Sequence, residues 1–160
     1  MGTTQALRAV LLLAHLAAAA AWIGAMAYSL AIVQPRARRF LGSAARYEEF
    51  ATALAAGARR GVLALIAVLG SSGAGLVAVE VSRARDPSVG WTVLVAAKAL
   101  LLVAAAAIFA HVSWRLWPAR LFARADELEA LQRRFRATAL VLTSVVAAAF
   151  ALGAVAGAIR

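Results

Sequence analysis

The sequence predicts an all-α integral membrane protein, a four-helix bundle with both termini on the outer side. Three observations carry this. Hydrophobic residues make up 64% of the 160 residues, whereas a soluble domain is usually about half apolar. The apolar residues gather into four runs, each near the roughly 20 residues that cross a bilayer. The arginines fall almost entirely between those runs. The mean hydropathy is +0.85, and one transmembrane domain over 1–160 accounts for the chain. Its helices are expected at about 6–33, 61–79, 91–117 and 137–159, with amphipathic cytoplasmic linkers at 35–60 and 118–136.

The first run, Ala6 to Val33, has a basic residue, Arg8, ahead of it, as a signal peptide would, but it is too long for a signal h-region and reads as a retained span. Pro35 follows and is expected to end the helix, because proline lacks the N–H that a helix interior needs. Arg36, Arg38 and Arg39 then make a basic turn, and Gly42-Ser43 offers a new helix start. Tyr47, Phe50, Ala51 and Leu54 recur at helical spacing and form an amphipathic lead-in to Arg59 and Arg60, so the second helix is expected to extend into the cytoplasm. The second half of that helix, Gly70-Ser-Ser-Gly73-Ala-Gly75, consists of small residues, which in lipid permit close helix contact. Glu80 closes the helix, and a polar turn with Arg83, Arg85, Asp86 and Pro87 leads to the third. That helix, Trp91 to Trp117, holds Lys98 and His111 and meets Pro118. In the second linker, Asp126 with Glu129 three residues on resembles a capping box. Leu128, Leu131 and Phe135 carry the stripe into the fourth helix, which ends in Gly153-x-x-x-Gly157.

Charge orients the spans. The formal charge is +10, from 17 Lys and Arg against 7 Asp and Glu. The first linker holds Arg36, Arg38, Arg39, Arg46, Arg59 and Arg60, and the second holds Arg120, Arg124, Arg133, Arg134 and Arg136. Basic short loops stay cytoplasmic, so both linkers are inside and both termini outside. No basic surface interleaved with aromatics accompanies the charge, which argues against nucleic acid as a partner. The partner the composition implies is the lipid bilayer, with the glycine faces available to other membrane subunits or to a second copy. The absence of cysteine excludes disulfides, thiolate-bound zinc, iron–sulfur clusters and thiol catalysis.

The two halves read as a repeat. A shift of 83 residues places Pro35 on Pro118, Gly70 on Gly153 and His15 on Lys98. Each half is then an outward-starting helix, a proline, a basic linker and a glycine-bearing return helix.

Ionisable groups at membrane depth are candidate functional sites by default. His15 lies about 13 Å along the first helix and Lys98 about 10 Å along the third, counted from the outer ends. With Glu80 on the same side, three helices contribute one such group each to the outer half. His15 is the candidate metal or haem ligand, or it forms a proton or anion site with Lys98; Lys98 and Glu80 are its charge partners. Packing alone would equally place a histidine hydrogen-bonded to a neighbouring helix and a lysine snorkelling to the headgroups. Trp22 and Met26 follow His15 on its helix as pocket wall or plain packing. His111, one turn before Trp114 and Arg115, is an interfacial residue or a second ligand; its depth differs from that of His15 by roughly 16 Å, so the two cannot share one iron. No nucleophile elbow, HExxH motif, phosphate-binding glycine loop or paired carboxylates at depth are present, so no catalytic residue is assigned and an enzymatic role stays open.

A first helix reading His15-x6-Trp22-x-Gly24, followed by a proline and arginines, resembles the CopD-type copper-resistance membrane domain. The small-residue end of the second helix and the early lysine of the third, Lys98, fit the same pattern, which covers residues 9 to about 157. The His-x6-Trp opening and the helix 3 lysine are also similar to HemJ-type protoporphyrinogen oxidases, although Pro35 lies further from Trp22 than that family implies. The CopD resemblance implies a protein of the bacterial cytoplasmic (inner) membrane in copper or metal handling, centred on His15. The HemJ resemblance implies haem-linked chemistry at His15 and Lys98. Copper(I) pathways favour Cys and Met, and here Met26 is the only methionine besides Met1. Haem b in an electron-transfer subunit or an oxidase is therefore the alternative cofactor, and a non-catalytic subunit of a larger complex is the third reading.

Overall fold

The computed structural model describes residues 2–83 and 88–158. Among the described residues there is no strand. Four helices are long and apolar enough to cross a membrane: Thr3–Leu41, Ala58–Arg83, Val89–Leu121 and Asp126–Val155. This is the all-α, four-span membrane architecture that the hydropathy predicts. Large apolar side chains face outward on these helices, Leu13 at 67%, Leu100 at 70% and Val103 at 66% exposure among them. A helix that is apolar all round suits a lipid surround.

The chain forms two compact units, residues 1–85 and 86–160, each a helical hairpin. In the first, α1 (Thr3–Tyr28) passes through a π-turn (Ser29–Val33) into α2 (Gln34–Leu41); α3 (Ala44–Ala55) follows, and α4 (Ala58–Arg83) returns against α1. In the second, α5 (Val89–His111) passes through a π-turn (Val112–Leu116) into α6 (Trp117–Leu121), and α7 (Ala125–Ala158) returns against α5.

Pro35 does not end the first helix as expected. The π-turn ahead of it hydrogen-bonds Gln34 N–H to the Ser29 carbonyl, five residues back. That wider turn sets Pro35 at the second position of α2, where a missing N–H removes no α-helical bond. Gln34 Nε2 spans the same turn to Ser29 Oγ at 3.4 Å. Pro118 is handled identically, with Trp117 N–H bonded to the Val112 carbonyl. The two π-turns stand 83 residues apart, the offset that aligns the prolines, and Trp22 and Ala105, related by the same offset, are each only 2% exposed. The repeat read from sequence thus extends to a backbone irregularity.

Cap chemistry sets the linker helices. Ser43 Oγ accepts from Arg46 N–H at 3.2 Å and starts α3 as predicted. Ser88 does the same for α5, accepting from Trp91 N–H at 3.3 Å, so that α5 begins at Val89, two residues ahead of the expected start. The second helix is not continuous with its lead-in: Gly57, at φ 82°, separates α3 from α4. The left-handed region is open to glycine at little cost. At the corresponding place in the second hairpin stands Leu140, and there lead-in and span form one helix. The cap lies two residues earlier than expected and is only the glutamate half of a capping box, since Arg124 offers no side-chain acceptor. Glu127 Oε2 accepts from Arg124 N–H at 3.2 Å, while Asp126 sits in the first turn and Glu129 pairs with Arg133 at 2.7 Å. Glu80 lies inside α4, which continues to Arg83, rather than closing it.

Candidate functional site

The first hairpin builds its polar site where α1 crosses the small-residue stretch of α4. Hydroxyls at membrane depth need an acceptor, and the carbonyl one turn back in the same helix supplies it. Ser72 Oγ accordingly donates to the Val68 carbonyl, with the Leu69 carbonyl 3.4 Å away. Its single proton is therefore committed to the α4 backbone. The oxygen then accepts from His15 Nδ1, 2.9 Å away. This network assigns a proton to Nδ1 of His15, so the tautomer it selects for the neutral imidazole carries its lone pair on Nε2. A hydrogen bond at one ring nitrogen that fixes the tautomer and orientation of the other is how histidine ligands are positioned.

Glycine provides the space. A Cβ at Gly73 would lie 3.4 Å from His15 Cε1 and 3.7 Å from Nδ1, so the imidazole rests on bare backbone. Two residues further along α4, a Cβ at Gly75 would lie 3.0 and 3.2 Å from the two Leu11 methyl carbons. The predicted close contact is thus real at Gly73 and Gly75. A Cβ at Gly70 would meet no heavy atom within 4 Å.

The other predicted residues divide as follows. Trp22 is the largest fully buried side chain, 2% exposed, and lies about 10 Å along α1 from His15. Met26 is half-buried and about 16 Å from His15 along α1, too far to share a metal with it. Glu80 lies about 12 Å beyond Ser72 along α4, towards the C-terminal end of that helix and away from the level of His15. In the second hairpin, Lys98 places Nζ 3.0 Å from where a Gly153 Cβ would be. Each hairpin thus seats an ionisable side chain of its first helix on a glycine of its return helix. His111 is exposed at the end of α5, near Trp114, whose ring meets Phe109 edge-on at 6.4 Å.

Two features of the structure have little signature in the sequence. Ser72 lies within a run of small residues, and its register opposite His15 follows only once α1 and α4 are paired antiparallel. Arg120, 6% exposed, lies over the rings of Trp117 and Phe135 at 5.6 and 5.0 Å. Its spacing of three from Trp117 is the signal that was available.

Chemically, the first hairpin offers one imidazole oriented through its Nδ1. Among the described residues no three His, Cys, Asp or Glu side chains come together as a metal cluster. Compared with known protein families, characterised proteins and solved structures, the chain gives no match.

Proposed function

We propose that this is a CopD-like protein of the bacterial inner membrane that handles a metal, with His15 Nε2 as the protein ligand and Ser72 as the residue that orients it. The observation that carries this reading is the Val68–Ser72–His15 chain of hydrogen bonds, which fixes the imidazole against α4 through Nδ1. The cargo that the family resemblance implies is copper. Lys98, seated on Gly153, acts as the matching charged group of the second hairpin. The basic linkers face the cytoplasm, which sets His15 in the outer half of the membrane.

A second reading, haem b, is favoured by the donor set. A lone imidazole holds copper weakly, whereas a porphyrin would bring four nitrogens of its own and His15 would supply the protein donor. Haem would bring one-electron chemistry; the chain would bind, orient and shield it through His15 and its neighbours. Gly24, Gly61 and Gly70, where a Cβ would meet nothing within 4 Å, are the positions at which another membrane subunit or a second copy would pack.

The test is an optical spectrum of the detergent-purified protein before and after dithionite, with copper and iron analysis on the same sample. A colourless protein with stoichiometric copper supports the first reading. A Soret band with stoichiometric iron supports the second. A colourless, metal-free protein after incubation with each rejects both and leaves a structural subunit.

A further inference from the structure

A cavity of about 340 Å³ opens between the start of α1 and the last turn of α4, lined by Gln5, Arg8, Ala9, Leu12 and Arg83. It lies within the first hairpin, at the end remote from the basic linker. We propose that this cavity binds a phosphate group, and specifically the headgroup phosphate of a membrane phospholipid.

Arg8 and Arg83 both line this one small space, and neither forms an ion pair among the described residues. Like charges that converge without a carboxylate are relieved by an anion, and guanidinium matches the oxygens of a phosphate bidentately. The Gln5 amide adds a neutral donor. The start of α1 favours an anion through its dipole, and the end of α4 opposes it, so the attraction rests on the arginines. Topology does not explain them: on the orientation that the linkers set, this end faces outward, where the positive-inside rule requires no cations.

The walls choose the source of the phosphate. Ala9 and Leu12 form the apolar side of the cavity, and α1 continues towards the membrane centre with exposed Leu13 and Leu16. A ligand with a charged head and an apolar tail matches this order of surfaces; free phosphate would use only the head. The inference does not depend on the role of His15.

The test is native mass spectrometry of the full chain in detergent, titrated with dioleoyl phosphatidylglycerol, dioleoylglycerol or inorganic phosphate. The tightest-bound phosphatidylglycerol should be retained by the wild type, and dioleoylglycerol should not. Each arginine lost should weaken retention about tenfold, so Arg8→Gln/Arg83→Gln should lose it by about a hundredfold. Arg36→Gln/Arg39→Gln, on the linker, should keep this first lipid. Equal retention of the two lipids, or an unchanged affinity in Arg8→Gln/Arg83→Gln, overturns the proposal. Displacement of the lipid by millimolar inorganic phosphate overturns its lipid source. Melting curves check folding. If the glutamine pair does not fold, Arg8→Lys/Arg83→Lys decides, with weaker retention in support and unchanged retention against.

Discussion

Leu11 and Gly75 make the tightest side-chain contact on glycine between α1 and α4, and substituting Gly75 tests the hairpin itself. In Gly75→Ala the new methyl would sit 3.0 and 3.2 Å from the Leu11 methyl carbons and 3.7 Å from Cγ. Carbon atoms rest at about 3.5–4.0 Å, so Leu11 or the helix pair must yield by several tenths of an ångström. Overpacking of this kind costs about 1–3 kcal/mol, offset by about 1 kcal/mol of helix propensity gained over glycine. Gly70→Ala gains the same propensity and meets nothing within 4 Å. The two variants should therefore differ by about 1–3 kcal/mol, with Gly75→Ala the less stable. Leu11→Ala should remove the clash, so Leu11→Ala/Gly75→Ala should be more stable than the sum of its single changes predicts. Reversible unfolding in mixed SDS micelles reads all four. Equal stabilities of Gly75→Ala and Gly70→Ala, or strict additivity with Leu11→Ala, would refute the packing of α1 on α4 described above.

Three further outcomes follow from the same geometry. Ser72→Ala should lower metal or haem affinity about 10–100-fold, because the tautomer of His15 is no longer held; ligand titration should also show most of that affinity restored in Ser72→Thr. Gly57→Ala should destabilise the first hairpin by about 1–2 kcal/mol, because alanine is strained at φ 82°, whereas Leu140→Ala at the matching place should not show this backbone effect; micelle unfolding compares them. Arg120→Ala removes two cation–π contacts, each worth about 0.5–2 kcal/mol, and should free α6 from α7, read as faster hydrogen exchange over 117–121.

What the sequence made legible follows from how each signal is encoded. Four spans and basic linkers are written in hydropathy and charge, which act over twenty residues and tolerate local error. Ser43 was readable because a hydroxyl before an amphipathic stripe has few other uses. Pro35 misled because its expected effect assumes an α-helical register; the preceding π-turn changes that register, and nothing in Ser29–Val33 announces it. The cap of α7 was displaced because Asp126, Glu127 and Glu129 all offer carboxylates, and only the backbone shows which one reaches back. His15 stood out as a lone imidazole at depth. Ser72 did not, because its meaning comes from a neighbour 57 residues away.

The measurement that bears most directly on His15 as ligand is the metal content per protein chain of wild type and His15→Ala, purified side by side after loading with copper or with haem. The account predicts one metal per chain for the wild type with one of the two, and loss of that metal in His15→Ala with the melting temperature retained. Equal metal content in the two proteins, or none in the wild type after either loading, would contradict it.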